Sequence, residues 1–356
     1  MKKIALLLGI SMLALATLSC QQGTKTNDKP KKEGTIIVAN KSGNDVFFIE
    51  RSTGKTIKKL PTGYAPHEVE VSGDGKTAVV CNYGDREKPG NTLSVYNIKK
   101  GKLVKTIDLG EHTFPHGMDW IEGTDKMLVT TEGTKSLVVV DIAKGEIVQS
   151  MKTDQEISHM VVAGPDYERA FVSSIRTGNV TVLDLNTGEI IEQLYSGKGA
   201  EGLDVSPDGK ELWVTNRGDN TISIFNTENL ELIKRIKSGK FPIRAKFSPG
   251  GQYFVVSNAE SGHIAVFDTQ QKKLIKKIKL TPPVPEGKDK DRYFAEFEGS
   301  SVPIGVVVPN NKTAYVANTH SDVVTVFNLE ELKIEKHIEA GKEPDGINYS
   351  PVTPEN

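Results

Sequence analysis

The chain is poor in cysteine, poor in aromatic residues and has no surplus of charge. Its 356 residues contain two cysteines, Cys20 and Cys81, so a disulfide framework is excluded once Cys20 is assigned elsewhere. Aromatic residues make up 6%, which leaves no obvious stacking platform. The 45 basic and 46 acidic residues give a net charge of -1, and no basic field for nucleic acid is implied. P-loops, H-E-x-x-H and the G-x-S-x-G elbow are absent. Gly197 to Gly202 spells G-x-G-x-x-G, but a strand follows where that motif needs a helix N-terminus.

Long apolar runs are also missing, with one exception. After Met1-Lys2-Lys3, residues Ile4 to Leu18 are all apolar or small. This stretch is too short to span a bilayer comfortably and reads as a signal-peptide core. It ends at Ser19-Cys20 and resembles a bacterial lipoprotein signal, in which the cysteine is lipidated and becomes the mature N-terminus. Thr17 holds the place three residues before the cysteine, where that pattern has Leu. Ordinary secretion is the alternative. The expected organisation is a signal peptide over 1–19, a lipidated Cys20 with a Lys-rich tether to 34, a folded domain over 35–351 and a tail over 352–356.

What the chain does have is a repeat. A short apolar strand ending in a small residue and Asn recurs at Ile37–Asn40, Val79–Asn82, Trp213–Asn216, Val255–Asn258 and Tyr315–Asn318. Looser copies stand at Leu128–Thr131 and Phe171–Ser174. A period near 40 residues, built only from strands, predicts an all-β, seven-bladed β-propeller with four antiparallel strands per blade. The chain starts on a second strand, and Asp345–Tyr349 has the pattern of a first strand. The C-terminal strand is therefore expected to complete the N-terminal blade and remove its exposed edge. Third-to-fourth strand turns carry Gly54, Gly101, Gly145 and Gly188. Leu230, Lys272 and Leu332 replace glycine in the later blades, which predicts turns of another type there. Cys81 fills the slot of Ala39 and Ala317 and reads as a small buried residue.

These repeats resemble the YVTN family of β-propellers, and are similar to the secreted YncE-like group and to surface-layer and envelope proteins. The resemblance covers about residues 35 to 351. It implies the fold and an envelope location. Propellers host unrelated functions, so it implies no single activity.

Candidate functional residues come from comparing one slot in every blade, at the start of the first strand. Around the ring it holds Asp345, His67, His116, His159, Glu201, Ile243 and Ile304. First strands line the central channel, so the first five are expected to converge at its upper mouth. Imidazoles with nearby carboxylates are a ligand set for copper, zinc or iron, which makes His67, His116, His159 and Glu201 the candidate metal ligands. The same set could move protons, or merely hydrogen-bond neighbouring blades. Arg176, Arg217 and Arg244 are expected to form a cationic arc suited to a carboxylate or phosphate. Asp345 and Tyr293 complete the candidate ligand-binding set. Tyr293 lies in the largest insertion, Thr281 to Val302, a prospective lid. Histidine-lined propeller hubs carry copper in nitrous-oxide-reductase-like enzymes, and other seven-bladed relatives look like lactonases or lyases that use His and acid residues. Neither full motif is present, so the resemblance transfers no catalytic role. The expected partners are a membrane, through the lipid, and a small ligand or an envelope protein. A non-enzymatic module docking a protein or polymer is the competing expectation.

Overall fold

The computed structural model describes residues 33–282 and 292–355. The leader, Cys20, most of the tether and residues 283–291 of the insertion lie outside the described residues. The described chain forms seven four-stranded antiparallel sheets arranged as the blades of a propeller. Blade one contains Pro344–Ser350, Thr35–Asn40, Asp45–Glu50 and Thr56–Pro61, in that spatial order. The last strand thus pairs with the first and closes the ring. Beyond it, Val352 packs on blade one, and its carbonyl accepts a hydrogen bond from Thr35 Oγ1 at 2.8 Å.

Burial follows position in the blade. Second strands are packed on both faces and read as continuous apolar runs, as in Ile36-Ile37-Val38-Ala39, all fully buried. Outer strands such as Leu232–Lys237 are largely exposed. The core is a set of seams between neighbouring blades. Between blades one and two, for example, Ile37, Phe48, Val69, Val80 and Tyr96 pack together. The recurrent Asn has a structural task at these seams. Its Oδ1 accepts from the backbone N–H of the junction before its blade, as Asn82 does from Gly63 at 2.8 Å and Asn258 from Gly239 at 2.7 Å.

The turns between third and fourth strands correct the sequence-based expectation. Leu230 (φ 63°), Lys272 (φ 50°) and Leu332 (φ 52°) adopt the same left-handed conformation as Gly54 (φ 74°) and Gly188 (φ 80°). The turn type is retained, and the blade tolerates the modest cost of a side chain at positive φ.

Two backbone features shape the channel. First, the residue that leads into each inner strand has positive φ: Ala65, Phe114, Ile157, Gly199, Phe241, Val302 and Glu343. In five blades a proline follows directly. Second, every inner strand carries a bulge immediately afterwards. Pro66 pairs with Asn82 and Val69 with Val80, so His67 and Glu68 together face Cys81 alone. The equivalent bulge occurs in all seven blades. A bulge breaks the alternation of side chains, so two successive residues per blade can reach the axis.

Glycine fills the second bulge position in four blades, at 117, 202, 305 and 346. A Cβ on Gly305 would sit 2.1 Å from the Asp345 carbonyl oxygen, and one on Gly346 2.3 Å from that of His67. The missing side chain lets neighbouring inner strands approach closely around the axis.

Candidate functional site

The residue opposite each bulge determines where the site backbone lies. Cys81, Thr130, Ser173, Thr215 and Ser257 hold this slot in five blades, and each accepts a bond from the bulge N–H that the ladder leaves unpaired. Four of them also donate to the inner strand of the next blade. Thr130 Oγ1 reaches the His159 carbonyl and Ser173 Oγ the Glu201 carbonyl, both at 2.5 Å. Cys81 Sγ makes the equivalent contact to the His116 carbonyl at 3.3 Å. Three blades thus pin the backbone of the next blade's site residue, His116, His159 or Glu201. Burial pushes the Cys81 thiol up to about 12, so it stays protonated and able to donate.

On this frame the three imidazoles form a short stack of tilted rings, with neighbouring planes inclined by 49° and 42°. Ring centroids are 4.1 Å apart for His67 and His116, and 3.7 Å for His116 and His159. Carboxylates close both ends. Asp345 Oδ2 lies 2.8 Å from His67 Nδ1. At the other end, His159 Nδ1 is 3.0 Å from Glu132 Oε1 and its Nε2 is 2.9 Å from Glu201 Oε1. Tyr83 sets its ring edge-on to His67 and His116, and its hydroxyl donates to Glu132 at 2.8 Å.

Below the stack, Arg244 fills the axis. Its Nε donates to Glu68 at 2.9 Å and its Nη1 to Glu201 at 3.0 Å. Glu201 also meets Arg217 Nη1 at 2.8 Å. Beneath this plug the channel opens into a cavity of about 260 Å³ lined by Glu70, Met118, Met160, Lys246 and Asn348, among others. At the mouth, Tyr293 lies against His67, with ring centroids 6.4 Å apart, and the Lys41 ammonium sits 4.5 Å from the Tyr293 ring centroid. The described end of the insertion is tied down by an Arg292–Asp322 ion pair and by Tyr293 N–H donating to Glu343 at 2.6 Å.

The protonation states differ along the stack. Burial drives His67 and, further, His116 below the usual imidazole range. His116 is also flanked by two imidazoles and near Arg244 and Lys41, all disfavouring its charge. Burial would lower His159 too, but the charge of Glu201 and the bonds to Glu132 and Glu201 prevail and raise it. Burial would raise Glu201, yet His159, Arg217 and Arg244 bring it down to about 2. Burial lowers Lys41.

His116 is 1% exposed, and neither of its ring nitrogens has a hydrogen-bond partner. Two groups of side chains converge there with spacing suited to a metal ion: His67, Glu68 and His116, and His116, Glu132 and His159, each with ligand atoms within 4.8 Å of one another.

The structure brings together His67, His116, His159, Glu201, Asp345, Arg217, Arg244 and Tyr293. Arg176 is set apart: it pairs with Glu156 at 2.8 Å, and both side chains are exposed. The cationic arc is therefore reduced to Arg217 and Arg244, and both are matched by carboxylates. Glu201 belongs to neither convergent group and is engaged instead by His159, Arg217 and Arg244. Glu68 is the residue that sequence reasoning missed. Strand alternation points it away from His67, and only the bulge turns it inward. A bulge leaves no reliable local signal, although the glycines at its sister positions were visible. Cys20 cannot be placed, since it lies outside the described residues.

Comparison with known proteins agrees with the fold. A family model described as "Lactonase, 7-bladed beta-propeller" matches residues 168–289. Antigen Lp49 of Leptospira interrogans is 24% identical over 196 residues, which span 50% of this chain and 42% of that protein. A functionally unknown protein from Desulfotomaculum acetoxidans superposes with a TM-score of 0.73 and 14% identity, over 90% of this chain and all of the other. Hydrazine synthase of Kuenenia stuttgartiensis gives 0.68 and 20%, over 86% and 98% of the two chains. The dihydro-heme d1 dehydrogenase NirN, in complex with DHE, gives 0.64 and 14%, over 90% and 76%. At these identities the structural likeness is one of fold.

Proposed function

We propose that this chain is an exported propeller of the bacterial cell envelope, anchored through a lipid on Cys20, that holds a transition-metal ion among the stacked histidines. The observation that carries the reading is His116. Each unsatisfied nitrogen of this buried imidazole costs about 1–3 kcal/mol, and a metal ion would recover the cost of the one that ligates it. Its lowered pKa keeps it neutral, the form that ligates. The ligands would be His116 with either His67 and Glu68 or His159 and Glu132, an N/O set suited to zinc or copper. Glu201 acts one layer back, holding His159 against Arg217 and Arg244.

An ion held here would supply Lewis-acid or redox chemistry. The chain's own residues prepare the surroundings. With the ion at His67, Glu68 and His116, His159, its pKa raised between two carboxylates, can store or release a proton beside it. Tyr293 and Lys41 narrow the mouth, and Lys41 offers a cation to an anionic ligand. The envelope location is supported by the leader pattern and by the similarity to a protein named as an antigen.

The test is elemental analysis of protein purified without a metal-binding tag, repeated after incubation with zinc or copper. The expected result is stoichiometric metal, lost in the His67→Ala, His116→Ala, His159→Ala triple variant while its β-sheet circular dichroism persists. Protein that takes up no metal, or a triple variant that keeps it, rejects the reading.

A further inference from the structure

The outer strands of blades five and six differ from the other five. Leu232–Lys237 carries Lys234, Arg235 and Lys237, and Lys273–Lys279 carries Lys273, Lys276, Lys277 and Lys279. Neither strand contains an acid. Elsewhere the cations are fewer: Thr56–Pro61 of blade one carries only Lys58 and Lys59, and the remaining four outer strands are mixed or acidic. Lys333–Glu339 balances two lysines with Glu335 and Glu339, and Ile190–Tyr195 has Glu192 as its single charge.

These cations are not neutralised. Lys276 Nζ caps the Leu332 carbonyl at 3.3 Å, Lys277 Nζ that of Ser238 at 2.7 Å and Lys279 Nζ that of Ser261 at 2.9 Å. Arg235 caps the Ser196 carbonyl at 2.5 Å. Carbonyl bonds orient the side chains but leave their charge intact. Among the described residues no carboxylate forms an ion pair with any of the seven, although Lys272 nearby is paired with Glu211. Interleaved with them, Leu232, Ile233, Leu274 and Ile275 are 42–47% exposed.

Lysine on an edge strand discourages edge-to-edge pairing. That need is the same for all seven blades, so it does not explain why the charge gathers on two neighbours. In a chain of net charge -1, a local excess of seven is an asymmetry with a direction. Exposed aliphatic side chains alternating with uncompensated Lys and Arg are the composition of surfaces that lie in a membrane interface. The belt lacks the aromatic residues that would mark a protein hot spot or a base-stacking platform.

We propose that the outer strands of blades five and six form a belt that rests on an anionic bilayer, with the seven basic side chains at lipid phosphates and the four aliphatic ones at the headgroup–acyl boundary. The proposal is independent of the metal site. It would orient the propeller side-on, with the channel axis along the membrane and the histidine mouth open to the aqueous phase.

The experiment is vesicle co-sedimentation of the mature chain, from residue 20 onward and carrying Cys20→Ser, so that neither the apolar leader nor an acyl chain contributes. Binding is expected to mixed phosphatidylglycerol–phosphatidylcholine vesicles, not to phosphatidylcholine alone, and it should be released by high salt. Substituting Lys273, Lys276, Lys277 and Lys279 by Gln should weaken it by about tenfold or more. Lys58→Gln with Lys59→Gln, on blade one, should leave it unchanged. Leu274→Ser with Ile275→Ser, which disturbs no carbonyl cap, should also weaken it, and this pair decides the matter if the lysine variant unfolds. Absence of binding to anionic vesicles, unchanged binding by both belt variants, or binding to heparin without binding to vesicles overturns the proposal.

Discussion

Arg244 and Glu68 meet across the propeller axis, 176 residues apart in sequence, with Nε 2.9 Å from Oε1. One strand belongs to blade six and the other to blade two, so their contact braces the channel below the histidines. Removing one partner of a buried pair leaves an uncompensated charge. Arg244→Met strips both Glu68 and Glu201 of a cation and should cost about 3–5 kcal/mol in urea unfolding. Adding Glu68→Leu should recover part of that loss. A single substitution that leaves the unfolding midpoint in place would show that the pair does not brace the ring.

His116 should behave in opposite ways with and without metal. In metal-free protein, His116→Phe keeps a ring of similar size in the stack and removes two orphaned nitrogens. The apo protein should become more stable by about 1 kcal/mol or more. The same substitution should abolish metal-induced stabilisation in a thermal melt.

The hydroxyl slot should tolerate exchange of donors but not their loss. Cys81→Ser places in blade two the group that Ser173 and Ser257 supply in theirs, and should change stability by less than about 1 kcal/mol. Thr130→Val removes bonds to Gly117 N–H and to the His159 carbonyl, and should cost about 1–3 kcal/mol. Thr130→Ser should restore it. Because Thr130 pins His159, the Val variant should also weaken metal binding, which calorimetry at matched folded fraction would detect.

The pH dependence of the metal-free protein follows from the stack. His67 and His116 lie below their unfolded values, so the unfolded chain binds protons that the native state refuses. Stability should fall as pH drops below about 6.5. His159 is raised, so its contribution is complete below about 6.5 and disappears as pH rises through its folded pKa. His159→Gln should therefore lower stability by a constant amount below about pH 6.5 and remove the decline on the alkaline side. Melting temperatures measured from about pH 5 to about pH 8 give the comparison.

Much of this was legible in the chain. Seven apolar strands at a regular spacing specified blade number, and the pattern at Asp345–Tyr349 specified closure. Aligning the residue that opens each inner strand set His67, His116 and His159 side by side. Other features were not legible, for local reasons. Leu230, Lys272 and Leu332 hide a turn that glycine announces in the other blades. Arg176 occupies a loop equivalent to that of Arg217, yet a neighbouring Glu156 holds it outward. Glu68 follows His67 directly, and alternation along a strand would send it to the opposite side.

The order of residues around the ring was thus determined by sequence alone, because a repeat with fixed strand count leaves one circular arrangement for them. Their aim and their partners were decided only by the folded ring. Bulges, left-handed strand entrances and the cross-blade bonds of Thr130 and Ser173 arise where inner strands crowd the axis. That crowding is a contact between distant segments, so no window of neighbouring residues encodes it.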